Sequence, residues 1–304
     1  GTGTDIKIFG GTVTAQSITT GDNGGGGAGI GGGMNGIGQN IMIEGGTITT
    51  TGGTFGGGAG IGGGCGQIGI DITISGGTII ATGGSAASKD GGAAGIGSGS
   101  MRSLGSISTG TDGIRITGGR IEATGGRDAA AIGGGASANA TGIEIEGAVV
   151  FAKMDPSSGN DVSPIGSGKG GDSTGTPQLE NCIVFERNSG KVYGYFTFRE
   201  ELGSVEMPSD AELVIPDGTS LTIADQSKWI NKGRILNNGT LLLENKENGL
   251  FIEENGRLEG SGKFYFAFSN GNFPESGALY RVYNGENHSA EVADYLREQT
   301  GIEQ

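Results

Sequence analysis

Short runs in which every second residue is a branched aliphatic recur through the first half of the chain. One run reads DIKIFGG from Asp5, NIMIEGG from Asn40, DITISGG from Asp71, GIRITGG from Gly113 and GIEIEGA from Gly142. A second follows at once, as TVTA from Thr12, TITT from Thr47, TIIA from Thr78, RIEA from Arg120 and VVFA from Val149. The third is AGIGGG from Ala28 and Ala59, AGIGSG from Ala94, AIGGG from Ala131 and PIGSG from Pro164. Successive side chains on a strand point to opposite faces, so the alternation assigns an inward set. In the first run these are Ile6 and Ile8, Ile41 and Ile43, Ile72 and Ile74, Ile114 and Ile116, Ile143 and Ile145. In the second they are Val13 and Ala15, Ile48 and Thr50, Ile79 and Ala81, Ile121 and Ala123, Val150 and Ala152.

The third-run isoleucines, Ile30, Ile61, Ile96, Ile132 and Ile165, are 31, 35, 36 and 33 residues apart. A unit of this length holding three short alternating strands predicts an all-β fold: a right-handed parallel β-helix with three short strands per coil. Helical repeats of similar period are excluded by the helix-breaking Gly throughout the units. One coil cannot bury its Ile alone; stacking coils about 4.8 Å apart lines them into ladders and closes the backbone hydrogen bonds.

The pattern changes near residue 191. LVIPDGTSLTI, RILNNGTLLLEN and GLFIEENGRLEG form shorter strand–turn units with turns at Asp217-Gly218, Asn238-Gly239 and Asn255-Gly256. The expected organisation is five main coils and a transition over 1–190, narrower β-coils over 191–272, and a C-terminal cap over 273–304. Trp229 reads as a core or cap aromatic. The cap is expected to carry a short helix, AEVADYLREQ from Ala290, because an open solenoid end invites strand-edge aggregation.

Composition adds mainly exclusions. The 304 residues include 69 Gly and only 6 Pro, with no Gly-X-Y period. The net charge of −14 argues against nucleic acid, which calls for a basic face. No stretch approaches the apolar length of a membrane span. Cys65 and Cys182 make no disulfide framework; Cys182 takes an inward Ile position, and Cys65 reads as a thiol in a turn. No leader segment is evident, and Gly1 reads as the start of a trimmed chain.

Candidate chemistry is sparse. Asp5, Asn40 and Asp71, with Asp112 displaced by one, form a column that is either an Asx-turn ladder or a stack of calcium ligands. The single histidine, His288, lies outside the repeat, which removes zinc clusters and histidine-based triads. An enzyme would draw on Arg115, Glu122, Glu144 and Glu146, outward residues of coils four and five, although a surface ion pair between Arg115 and Glu144 explains two of them. The loops between second and third strands carry Asp22, Asn23, Asp90, Asp128, Asp155 and Asp161 along one edge. Of these Asp22, Asp90, Asp128 and Asp161 are the ligand-binding candidates. Outward Thr12, Thr14, Thr47, Thr49 and Thr78 make a flat array that ends at Ile80, Arg120, Glu122 and Phe151. Phe9, Phe55 and Phe151 are the aromatics open to a sugar-stacking role.

The DITISGGTIIATGG and AGIGGG blocks, with IPDGTSLTI downstream, resemble repeats of secreted or wall-attached bacterial proteins: adhesin-like and carbohydrate-binding β-helices related to pectate lyases. The resemblance covers roughly residues 5–260 and implies an extracellular or cell-surface location, with polysaccharide or host glycan as partner. No lyase motif falls on this chain. Three readings follow: a glycan-binding adhesin-like module with calcium as an optional cofactor, a polysaccharide lyase or glycosidase, or a structural spacer. Neither nucleic-acid binding nor membrane insertion is expected, and a monomer is.

Overall fold

The computed structural model describes residues 1–18, 26–54, 56–85, 91–101, 110–159, 161–172, 175–244, 249–253, 256–266 and 281–282. The chain divides into two compact units, residues 1–180 and 181–304. The expected helix from Ala290 and His288 lie outside the described residues.

The first unit is a parallel β-helix of three sheets, right-handed as strand crossovers require. Sheet one stacks Gly3–Ile8, Gly38–Ile43, Gly69–Ile74, Thr111–Ile116, Ala140–Glu146 and Gln178–Glu180. Sheet two stacks Thr12–Gln16, Thr47–Thr51, Thr78–Thr82, Arg120–Thr124 and Val149–Lys153. Sheet three stacks the two-residue strands Ile30–Gly31, Ile61–Gly62, Ile96–Gly97, Ile132–Gly133 and Ile165–Gly166. In sheet one Ile6, Ile41, Ile72, Ile114 and Ile143 are in register, as are Ile8, Ile43, Ile74, Ile116 and Ile145. From the second coil onward these isoleucines are buried; in the first coil they are half-buried.

Two backbone positions explain much of the residue choice. Asp5, Asn40, Asp71, Gly113 and Gly142 each take a left-handed conformation, with φ of 57°, 52°, 53°, 70° and 62°. This single left-handed residue breaks the period-two alternation. Gly38 and Ile41, three apart, are therefore both buried. Asp, Asn and Gly are the residues that tolerate this conformation. The fourth rung of the Asx column is accordingly Gly113. Asp112 pairs with Ile70 and Thr141 on the exposed face and leaves the column, a correction of one residue to the sequence reading.

The second position is the Gly of sheet three. Gly31, Gly62, Gly97, Gly133 and Gly166 have φ between 127° and 138°. A Cβ on Gly31, Gly62, Gly97 or Gly133 would overlap the carbonyl oxygen of the glycine stacked on it. Backbone replaces side chain as the packing element on this side of the coil.

The second unit is a narrower parallel helix whose ladder Gly190, Leu213, Ile235 and Leu258 repeats every 22–23 residues. Its three sheets hold strands of two to five residues, most of them four. One begins with the antiparallel pair Cys182–Glu186 and Ser189–Tyr193 and continues through Glu212–Ile215, Arg234–Asn237 and Arg257–Glu259. Another stacks Tyr195–Phe198, Ser220–Ile223, Thr240–Leu243 and Lys263–Phe266, with Arg281–Val282 added antiparallel. The third stacks Ser204–Met207, Lys228–Asn231 and Gly249–Ile252. Trp229 is a core residue, its ring edge-on to Phe198 at 5.3 Å between centroids. Buried Asn231 and Asn237 turn two corners by donating to the carbonyls of Arg257 and Lys263. Among the described residues no helix is long and apolar enough to cross a membrane.

Candidate functional site

The outward face of sheet two changes character along the solenoid. Its columns run Thr12–Thr47–Thr78–Arg120–Val149 and Thr14–Thr49–Ile80–Glu122–Phe151, with Gln16–Thr51–Thr82–Thr124–Lys153 beside them. The threonine surface thus gives way, in coils four and five, to charged residues around one aromatic ring.

Glu122 sits at the centre of that patch. Arg120, two residues back on the same strand face, pairs with one carboxylate oxygen, and Lys153 Nζ lies 3.0 Å from the other. The Arg120 guanidinium also stands 5.6 Å from the Phe151 ring centroid, a cation–π contact. Burial pushes the Glu122 carboxyl up, but Lys153 and Arg120 outweigh it and hold the group below the usual carboxylate range. Phe151 is only 8% exposed, so it props the guanidinium and offers no open stacking surface.

The chain leaves this strand into the loop edge. Asp155 accepts hydrogen bonds from the Ser157 backbone N–H at 2.8 Å and from the Ser85 hydroxyl at 2.9 Å. Burial raises its pKa; the bonds from Ser157 and Ser85, with the charge of Arg127, more than reverse this and leave it lowered. Next along the edge, Asp128 is buried in a left-handed turn with φ of 62°, its N–H donating to Ser158 Oγ at 2.9 Å. Lys169 Nζ lies 3.8 Å from Asp128 Oδ1 and 3.3 Å from Asp161 Oδ2, and so bridges the two. Among the described residues this edge is a mixed donor and acceptor surface, with Asp128 and Asp161 paired to Lys169 and Asp155 held by serine donors.

Of the ligand candidates, Asp128 and Asp161 are brought together by Lys169; Asp22 and Asp90 lie outside the described residues. The four catalytic candidates do not converge. Arg115 and Glu144 are register neighbours on sheet one, 3.4 Å apart, with half or more of each side chain exposed. Glu146 is on the same sheet, stacked on Glu180, whereas Glu122 belongs to sheet two. A pair as exposed as Arg115–Glu144 is worth about 0–1 kcal/mol. In the Asx column the Asn40 side-chain amide donates to Asp5, which turns a donor into the position a cation would need. Among the described residues no three His, Cys, Asp or Glu side chains form a metal-holding group. Phe9 is exposed, and Phe55 lies outside the described residues. Cys65 lies in a turn, as expected, and is buried; Cys182 is buried too.

Sequence reasoning passed over Lys153 and Lys169, the cations that complete the network. Lys153 stacks on Thr124 at the end of a polar outward column, and the Lys169 carbonyl accepts from the Ser137 N–H of the coil before it.

The model of the β-helix repeat family matches residues 6–34, 41–65, 72–100 and 114–136, the first four coils of the first unit. The match agrees with the stacked parallel strands of that unit, a β-helix repeat architecture. No curated protein and no solved structure matches it.

Proposed function

We propose that this chain is an extracellular, adhesin-like module that binds polysaccharide or host glycan along the solenoid as a monomer. The observation that carries the reading is the edge of coils four and five. There Arg120, Glu122, Lys153, Asp155, Asp128, Lys169 and Asp161 gather donors and acceptors on a rigid scaffold. Sugar hydroxyls are recognised by such paired charged groups, which accept and donate at once. Glu122 and Asp155, their carboxyls held below the usual range, supply charged acceptors. Because Lys169 and Lys153 already balance the carboxylates, direct hydrogen bonding accounts for recognition, with calcium as an added ligand of the exposed Asp161 edge.

A glycan array run with the intact chain, with and without EDTA, tests this. Binding reduced by Glu122→Gln and Asp161→Asn is expected. An array silent under both conditions refutes the proposal, and sensitivity to EDTA decides the part played by calcium.

A further inference from the structure

The second unit carries a hydroxyl-bearing sheet face with an exposed aromatic ring at its start. On the sheet that begins at Tyr195–Phe198, alternate residues point outward. In register across four strands they form two columns, Tyr195–Ser220–Thr240–Lys263 and Thr197–Thr222–Leu242–Tyr265. In a chain of net charge −14, none of these outward positions is a carboxylate. The unit's other sheets differ: one presents Glu212, Arg234, Arg257 and Glu259 outward, and the other presents Glu206.

Tyr195 dominates this surface. Its side chain is 73% exposed, the most open aromatic among the described residues. Its backbone is nevertheless held firmly. The Tyr195 N–H donates to Asn181 Oδ1 at 2.9 Å, and Gly194, with φ of 64°, makes the corner before it. An exposed ring on a fixed backbone offers apolar surface for a partner to cover, and the apolar face of a sugar ring is the complement of a tyrosine face. Behind it Ser220, Thr240, Thr197 and Thr222 repeat at the strand spacing, so hydroxyls recur every ~4.8 Å, and Tyr265 stands three strands away, about 14 Å along the stack. A polymer of hydroxyl-bearing rings would meet an aromatic ring at one end, alternating hydroxyls between, and a second phenol at the other.

We propose that this face, with Tyr195 as its stacking platform, binds a neutral polysaccharide chain laid along the solenoid axis. It is a second glycan site, separate in residues from the loop edge, and it rests on the reading that the chain takes glycans at all. Seven of the eight outward positions carry no charge, so the face offers hydrogen-bonding partners to a neutral glycan's hydroxyls and no row of cations to a charged one.

Affinity gel electrophoresis of the whole chain in gels containing galactomannan, arabinoxylan, hydroxyethylcellulose or polygalacturonate tests the proposal. Retardation by at least one neutral polymer is expected. Tyr195→Ala should weaken it about tenfold, and Tyr195→Phe should retain it, because the ring does the stacking. The same substitutions are made in a Glu122→Gln, Asp161→Asn background, which disables the loop edge and reads the platform alone. Binding that survives Tyr195→Ala but is lost in that background overturns the platform and leaves the loop edge standing. Retardation by polygalacturonate alone overturns the neutral-glycan assignment. If no polymer retards any form, and the array is also silent, both readings fall.

Discussion

Substituting two glycines of consecutive strands should have unequal consequences. Gly97 in sheet three and Gly113 in sheet one both have positive φ, 136° and 70°. At Gly97 a Cβ would collide with the carbonyl oxygen of Gly133, which is backbone fixed by its own ladder bonds, and would also press on Thr111 Oγ1 at 2.9 Å. Strain at such a φ costs about 1–3 kcal/mol and forced overpacking about 1–3 kcal/mol more, so Gly97→Ala should destabilise the unit by roughly 2–6 kcal/mol. At Gly113 the equivalent position in other coils holds Asp5, Asn40 and Asp71 at nearly the same φ. A Cβ there meets Asp71 Oδ1 at 3.1 Å, a side-chain atom able to give way. Gly113→Asn should therefore fall within about 1 kcal/mol of wild type, because lower unfolded-state entropy offsets the mild left-handed cost. Urea unfolding followed by circular dichroism measures both. Equal losses from the two substitutions, or a Gly97→Ala midpoint equal to wild type, would refute the claim that backbone contact dictates glycine in sheet three.

The structure supports further expectations. Thr50 is buried at a position where the stacked coil has Ala81, and its hydroxyl has no partner among the described residues; Thr50→Ala should stabilise by about 1 kcal/mol in the same unfolding assay, and a loss would point to an unseen partner. Ile114 lies between Ile72 and Ile143 with no exposure, so Ile114→Ala should cost about 2–5 kcal/mol by thermal or urea unfolding. The Glu122 carboxyl is lowered in the folded chain, so its stabilisation is present above the ordinary glutamate pKa of about 4.3 and is lost as pH falls through the lower folded value. The stability difference between wild type and Glu122→Gln should be constant near neutrality and shrink in acid; a difference that grows on acidification would reverse the assignment. Trp229 Nε1 is buried without a partner among the described residues, so Trp229→Phe should cost less than the 3–5 kcal/mol typical of removing such a ring, with near-ultraviolet circular dichroism confirming retained packing.

The coils were legible from residue order because alternation and period are local properties. Ile41 and Ile43 point the same way whatever surrounds them, and a spacing of 31 to 36 residues repeats only if the coils stack. The outward neighbours Arg115 and Glu144 followed from the same register. The rest depended on atoms far apart in sequence. A one-residue offset made Asp112 look like a rung of the Asx column, and only the left-handed turn, shared by Asn40 and Gly113, shows which residue occupies it. Phe151 was an open aromatic in the sequence and is covered in the fold, because Arg120 on the adjacent strand lies over it.

Lys169 reaches Asp128 across a gap of forty-one positions, and Tyr195 meets its hydroxyl columns through strands 20 to 25 residues apart. No local pattern encodes such meetings. The sequence by itself determined that coils form and which side of each strand faces inward, since both follow from periodic hydrophobicity and backbone sterics. The tertiary structure alone decided which polar side chains share a surface, because stacking joins residues that the chain keeps a full coil apart.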